Sequence, residues 1–385
     1  MKNILICVLL LCLSASCQEV KELDPTPREF DQKMTLVPTD TLTIPIGHRS
    51  DVYSRYVKAS IINNIPYLGV VNVNTNDLEF YALSDKGEDF KVRFHLDGPN
   101  AVGQLKAFEV ISDSTLFIAS SYRIRLYVTD FEGNLKKTIE THDTSRNGKP
   151  FVQMYYTQSP LVYHKDMDDF YVFTRVDTDY FSPGIWSGTM FLKIQNRDDE
   201  SITHMFELPS RFNKYVYSGY FSHSSHVLVD DRHLVFGVPF YNNILVYDLE
   251  KETLIERKAG SKHFGDALPW DNPDMGRDEE FYVTSNSYRE LAYDEQNKLL
   301  YRLAYRKVDY IGPNGQQRNW DNKLPSVVIL DSNFKKVGEV DLPKNTIHTR
   351  MYFTHNGKLY LSLNHPDNNP SEDEMVFVGF KPEKL

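Results

Sequence analysis

The chain has 385 residues, of which 41% are hydrophobic and 25% charged, and a formal net charge of −10. That acidic balance argues against a nucleic-acid partner, whose phosphates call for a basic surface. The only three cysteines, Cys7, Cys12 and Cys17, lie at the extreme N-terminus, so the body holds no disulfide framework and must rest on its own core.

Residues 1–16 read as an export signal: Lys2 precedes an apolar run from Ile4 to Leu13, then small residues lead to Cys17. The run is shorter than the roughly 20 apolar residues that span a bilayer. The ending Leu-Ser-Ala-Ser-Cys resembles a lipobox, with Cys17 as the lipidated residue, although Ser14 stands where a branched residue is usual. Residues 17–39 are polar, with Pro25 and Pro27 and no apolar periodicity, and read as a tether. The expected location is therefore extracytoplasmic, on the bacterial outer membrane, with a lipid as the only membrane contact.

From residue 40 to 385 one pattern repeats at intervals of roughly 50 to 65 residues. The first copy is RYVKASI, IPYLGVV, DLEFYAL and KVRFHL. The second is LKAFEVI, TLFIASS, RLYVTD and KKTIET, and the third is SPLVYH, DFYVFTRV, TMFLKI and THMFEL. The fourth, SSHVLVD followed by His233 to Gly260, is the plainest. The fifth runs RELAYD, KLLYRLAY, SVVILD and KVGEVDL, and the sixth RMYFTH, KLYLSL and MVFVGF. Each third strand is apolar on both faces, as a sheet covered on both sides requires. Asp130, Asp248 and Asp331 follow three of them and are placed to close tight turns.

The sixth copy lacks a fourth strand, and DTLTIPIG at Asp40–Gly47 supplies one from the other end of the chain. The expected fold is all-β, a six-bladed β-propeller whose last blade is completed by an N-terminal strand, which removes the open edge of the array. The blade rhythm, the signal and the ending GKLYLSLNHPDNNPSEDEMVFVGFKPEKL resemble the TolB-like, six-bladed propeller lipoproteins of the Bacteroidetes, a group known as a domain of unknown function. The resemblance implies fold and location only.

Turn lengths separate two faces. Turns such as SDKGED, DFEGN, DLEKE, DSNFK and HNGK are minimal. The insertions at residues 178–188, 260–286, 307–324 and 365–374 all open on the other face, where binding residues are expected. Those loops hold Trp186, Trp270 and Trp320 with Tyr180, Tyr310 and Arg318, which suit a sugar-stacking platform or simple plugs on the rim. Arg55, Arg289 and Arg350 stand at the start of three inner strands, where they would bind a carboxylate or phosphate or pair with neighbouring acids. His223 and His226 near the fourth inner strand lack a third metal ligand. Asp271, Asp274 and Asp278 suit either calcium or a solvated loop. With no nucleophile elbow, phosphate loop or catalytic cysteine, the expected role is ligand or envelope-protein binding without a cofactor. The alternative is a carbohydrate-active enzyme that uses loop carboxylates.

Overall fold

The computed structural model describes residues 23–27, 29–47, 49–120, 125–140, 145–146, 149–153, 155–176, 178–179, 181–186, 190–195, 202–368 and 371–385. Its strands form six antiparallel sheets whose inner strands meet around a central axis, the ring expected from the repeats. In blade 4 the strands are Ser225–Val229, His233–Gly237, Asn243–Asp248 and Thr253–Lys258, in that order from axis to rim. Blade 1 (Val57–Ile62 to Phe90–Arg93), blade 2 (Leu105–Ser112 to Leu135–Glu140) and blade 5 (Ser287–Asp294 to Lys336–Asp341) repeat this order. The predicted turn chemistry is present: Asp130 Oδ1 accepts from the amide of Asn134 at 2.8 Å, and Asp331 Oδ1 from those of Asn333 and Lys335 at 2.9 Å. Asn356 and Gly357 take φ of 49° and 67°, the left-handed pair that a two-residue hairpin requires.

Blade 6 is closed by two ends of the chain. Its inner strands are His348–His355 and Lys358–Ser362, its third is Glu374–Lys384, and the outermost is Met34–Pro45. Pairing runs from Met34 opposite Lys384 to Pro45 opposite Glu374. The closing strand thus begins at Met34 rather than at Asp40. Pro38 and the polar neighbours of Leu36 read as linker, yet Leu36 is buried among Leu342, Ile347 and Phe380. Residues before it are docked as well: the amides of Gly265 and Asp266 donate to Pro25 and Asp24 at 2.9 and 2.8 Å, and the Asp24 amide donates to Asp266 at 2.6 Å.

Blade 3 departs from the expected pattern. Only Val162–His164 of SPLVYH pairs as an inner strand, against the lower half of Asp169–Val176; the upper half is paired by Lys149–Gln153. Residues 155–161 leave the sheet between these two pieces, and where they go bears on the channel described below. Among the described residues the one α-helix, α1 (Asp278–Val283), lies in the loop after blade 4.

Apolar side chains fill the wedges between blades. Ile44, Val57, Leu68, Met351, Phe353 and Phe377 form the wedge that joins blade 6 to blade 1, so the closing strand contributes to the core across the seam. A polar lock sits between blades 4 and 5, where wholly buried Arg302 donates to the carbonyls of Asn242 at 2.8 Å and Tyr241 at 2.6 Å while lying 3.9 Å over the Tyr288 ring. Removing wedge volume at the seam has a calculable cost: Ile44→Ala is expected to lower the unfolding free energy by about 2–5 kcal/mol. Urea unfolding checks this, and a loss under about 1 kcal/mol would mean that the N-terminal strand is not part of the cooperative core.

Candidate functional site

The inner strands begin on the face that carries the long loops, because the connection from each outer strand arrives there. Three of them are irregular at that point. Register slips by one or more residues between Leu105 and Ala107 in blade 2, between Tyr288 and Leu291 in blade 5, and between His348 and Tyr352 in blade 6. A bulge re-aims the residue it frees from the ladder, and the residues concerned include Lys106, Arg289 and Arg350. Arg55 precedes the inner strand of blade 1 and is exposed, Arg175 near the top of blade 3 is 4% exposed, and His223 leads into blade 4.

The strand order puts these groups at one end of the axis. His223 is pushed well below its ordinary pKa, first by burial and then by Arg289, Arg175, Arg350 and Arg55. Burial lowers Lys106, with Arg55 adding to it, and lowers Arg350 to about 10, with Arg289 adding to it. Each blade therefore sends one basic group to the same mouth of the channel. The three arginines singled out from the sequence are brought together there.

Arg289 is 6% exposed, with its Nε 3.7 Å from Glu290 and an Nη 3.5 Å from the Tyr282 hydroxyl. Glu290 in turn accepts from the Tyr305 hydroxyl at 2.5 Å. The Arg350 guanidinium lies 3.5 Å over the Trp320 ring. Trp320 meets His348 edge-on at 5.7 Å, and His348 meets Tyr53 at 5.2 Å. Tyr53 is 37% exposed, so this aromatic ledge opens to solvent.

Below the mouth the channel is closed by the residues that leave blade 3. Tyr156 to Ser159 form a tight turn, with the Ser159 amide donating to Tyr156 at 2.9 Å. The Thr157 amide donates to Arg55 of blade 1 at 2.9 Å, and the next residue, Gln158, accepts from the His226 amide of blade 4 at the same distance. Blades 1 and 4 face each other across a six-bladed ring, so this turn is a crossbar through the axis. The Tyr156 ring meets the His223 ring edge-on at 4.8 Å on the mouth side. On the other side Thr157 and Pro160 roof a chamber of about 960 Å³ that opens on the short-turn face at Asn64, Gln296 and Asn356. The chamber is lined by aliphatic and aromatic side chains together with polar ones, among them Asp294, Glu295, Lys298 and His355, and its Lys58 and Glu109 form an ion pair. The basic groups at the start of the inner strands lie above the crossbar.

The other candidates separate from this group. Trp186 is 2% exposed and packs edge-on against Phe240 at 5.5 Å, so it is a core side chain rather than a stacking surface. Trp270 stacks on Phe281 of α1 at 4.5 Å. The three indoles do not form one platform, because each is held by its own loop. The Arg318 amide and Tyr310 carbonyl pair within their loop at 2.8 Å, and Arg318 donates to Asp309. Tyr180 and Cys17 lie outside the described residues. His226 binds the Pro160 carbonyl at 2.7 Å and is pushed by burial down to about 3, which makes it a buried neutral side chain. Asp274 caps the turn at Gly276 and Asp278 accepts from the Gly219 amide at 3.0 Å, while Asp271 is exposed. Among the described residues no three His, Asp, Glu or Cys side chains gather as a metal would need.

The sequence reading missed Lys106, Arg175, His348 and Asp321. Lys106 had a signal, since it occupies in LKAFEVI the start-of-strand place that Arg55, Arg289 and Arg350 hold in their copies. Asp321 had none, because only the fold of the loop at 307–324 brings it to Arg350. Burial pushes Asp321 up to about 7, against the opposing pull of Arg350 and Arg289 and with Asp367 and Glu279 adding to the rise. A folded carboxyl that holds its proton to a higher pH than the unfolded one favours folding when protonated, and that advantage is lost as pH rises from about 4 to 7. The melting temperature of Asp321→Asn relative to wild type is therefore expected to rise across that window. A constant difference would contradict the assignment.

Two solved structures share the architecture. A member of the DUF4221 family from Bacteroides vulgatus ATCC 8482 is 18% identical, with a TM-score of 0.79 over 92% of this chain and 100% of its own. A protein described as exported, from Bacteroides fragilis NCTC 9343, is 11% identical, with a TM-score of 0.52 over 91% of this chain and 96% of its own. No curated protein is similar to the chain. Residues 33–341, from just before the closing strand to the end of blade 5, match the domain of unknown function DUF4221, and the chain belongs to that family.

Proposed function

We propose that this protein is an extracytoplasmic, lipid-anchored binding protein that receives a small ligand at the axial mouth of its long-loop face and does no chemistry on it. The observation that carries this reading is the placing of one basic side chain from every blade at the long-loop end of the axis, above a crossbar that closes the channel. Lys106, Arg289 and Arg350 are held on inner strands of the ring, which suits recognition. The acids nearest to them do not form a hydrolytic pair: Glu290 is wholly buried against Tyr305, and Asp321 belongs to a separate loop.

The export signal and Cys17 support attachment to the outer membrane, and a relative of the same fold is described as exported. The docked residues add an orientation. Asp24 is held at Asn242 and Asp266 on the long-loop side of blade 4, which leaves seven residues from Cys17 to reach it. An extended chain of that length spans about 25 Å. A lipid on Cys17 would therefore keep the long-loop face turned toward the membrane.

Two measurements test this. Cys17→Ala is expected to abolish acyl labelling and release the protein from the membrane fraction; unchanged fractionation would defeat the anchor. In a thermal-shift screen of small metabolites, stabilisation is expected to disappear in Arg350→Gln and persist in His355→Ala, a chamber residue at the other end of the axis. Equal effects at both ends would sink the site assignment, and turnover of a bound compound would replace binding with catalysis.

A further inference from the structure

We infer that the axial mouth is an anion site, built to seat the carboxylate, phosphate or sulfate group of a small organic acid between Arg289 and Arg350. This rests on the reading of the mouth as a binding pocket and goes on to name the chemistry of what enters it. The strand order and the bulges place Arg55, Lys106, Arg175, Arg289 and Arg350 at the long-loop end of the axis, with His223 against Tyr156 of the crossbar. Like charges gathered in a partly desolvated space repel one another. Lys323, buried and donating to the Tyr282 and Ser285 carbonyls at 3.0 and 2.7 Å, is pushed well below its ordinary value by burial, with Arg289 adding to it.

Among the described residues, no acid within reach bonds Arg350. Glu290 lies 3.7 Å from the Arg289 Nε and also accepts from the Tyr305 hydroxyl, and burial pushes the Asp321 carboxyl up to about 7. Arg350 has no hydrogen bond or ion pair to any described residue, and its guanidinium lies over the Trp320 face. A guanidinium stacked on a ring keeps its N–H edge directed outward in the plane, ready for forked hydrogen bonds to an oxyanion. Beside it Tyr53, 37% exposed and packed on His348, offers an aromatic surface for the body of the ligand. Asp278, Glu279 and Asp367 lie further out on the α1 and 365–374 loops, where they disfavour extended polyanions and leave room for one anionic group. An anion in the mouth would relieve the repulsion among the arginines, so its binding is expected to stabilise the fold.

Titration calorimetry with galacturonate, neutral galactose and inorganic sulfate in the full mature chain tests this. Melting curves in sodium sulfate and in sodium chloride of equal ionic strength accompany it. Galacturonate and sulfate are expected to bind wild type, to bind at least about tenfold more weakly to Arg350→Gln, and to weaken with added chloride. Arg350→Lys, which keeps the charge and loses the fork, is expected to fall between. Sulfate stabilises most proteins by exclusion from their surface, so the informative quantity is the difference between wild type and Arg350→Gln, with His355→Ala as a folded control. If neither anion binds wild type, or if Arg350→Gln matches it, the anion site is overturned. Should galactose bind as well as galacturonate and depend on Arg350, the pocket stands and its anionic specificity falls. Anion binding lost in His355→Ala but kept in Arg350→Gln would remove both the pocket and the proposal.

Discussion

The structure depends on one constraint: a sheet with two apolar faces needs a neighbour on each side, and only a closed ring provides that for all six. Five blades can be made from consecutive strands, but a ring made wholly of consecutive blades would have its seam held by side-chain packing alone. Here the seam lies inside blade 6, where Met34–Pro45 hydrogen-bonds to Glu374–Lys384 and buries Leu36 and Ile44 in the wedges on its two sides. Backbone ladder and core packing thus close the ring together. The buried Arg302 belongs to the same logic, since four carbonyls at the blade 4–5 boundary are satisfied by one fork of donors where apolar packing alone would leave them bare.

Closure also creates the site. A ring of twisted sheets leaves a channel, and the inner strands decide what it contains. Regular inner strands would alternate side chains between lumen and wedge, but bulges at Lys106, Arg289 and Arg350 turn long basic chains toward the mouth. The cost of gathering like charges is borne by a core far from the mouth, which is how rigid scaffolds carry locally unfavourable groups. Blade 3 gives up part of its inner strand to the crossbar, and Thr157 and Gln158 replace its ladder bonds with bonds to blades 1 and 4. One interrupted strand therefore divides the axis into a basic mouth and a chamber of mixed lining.

Parts of the site were legible because they repeat. Arg55, Arg289 and Arg350 hold the same place in three copies, and the same comparison would have found Lys106. The tryptophans misled for a physical reason: a loop on a propeller rim needs an apolar anchor as much as a binding surface does, and Trp186 anchors while Trp320 lines the mouth. Nothing local marks the difference. It depends on whether the ring meets Phe240 in the core or Arg350 at the axis.

The sequence by itself determined the strand repeat, the number of blades, the split between short and long turns and the need for an N-terminal strand to finish the last blade. These follow from period-two alternation and turn residues, which act over a few positions. Tertiary structure alone decided that six basic groups share one mouth, that Asp321 faces them, and that residues 155–160 close the channel. Those facts join residues as far apart as Arg55 and Arg350, and Thr157 with both Arg55 and His226. Such distances are set by the curvature of the closed ring and the register of its bulges, and no short stretch of the chain encodes either.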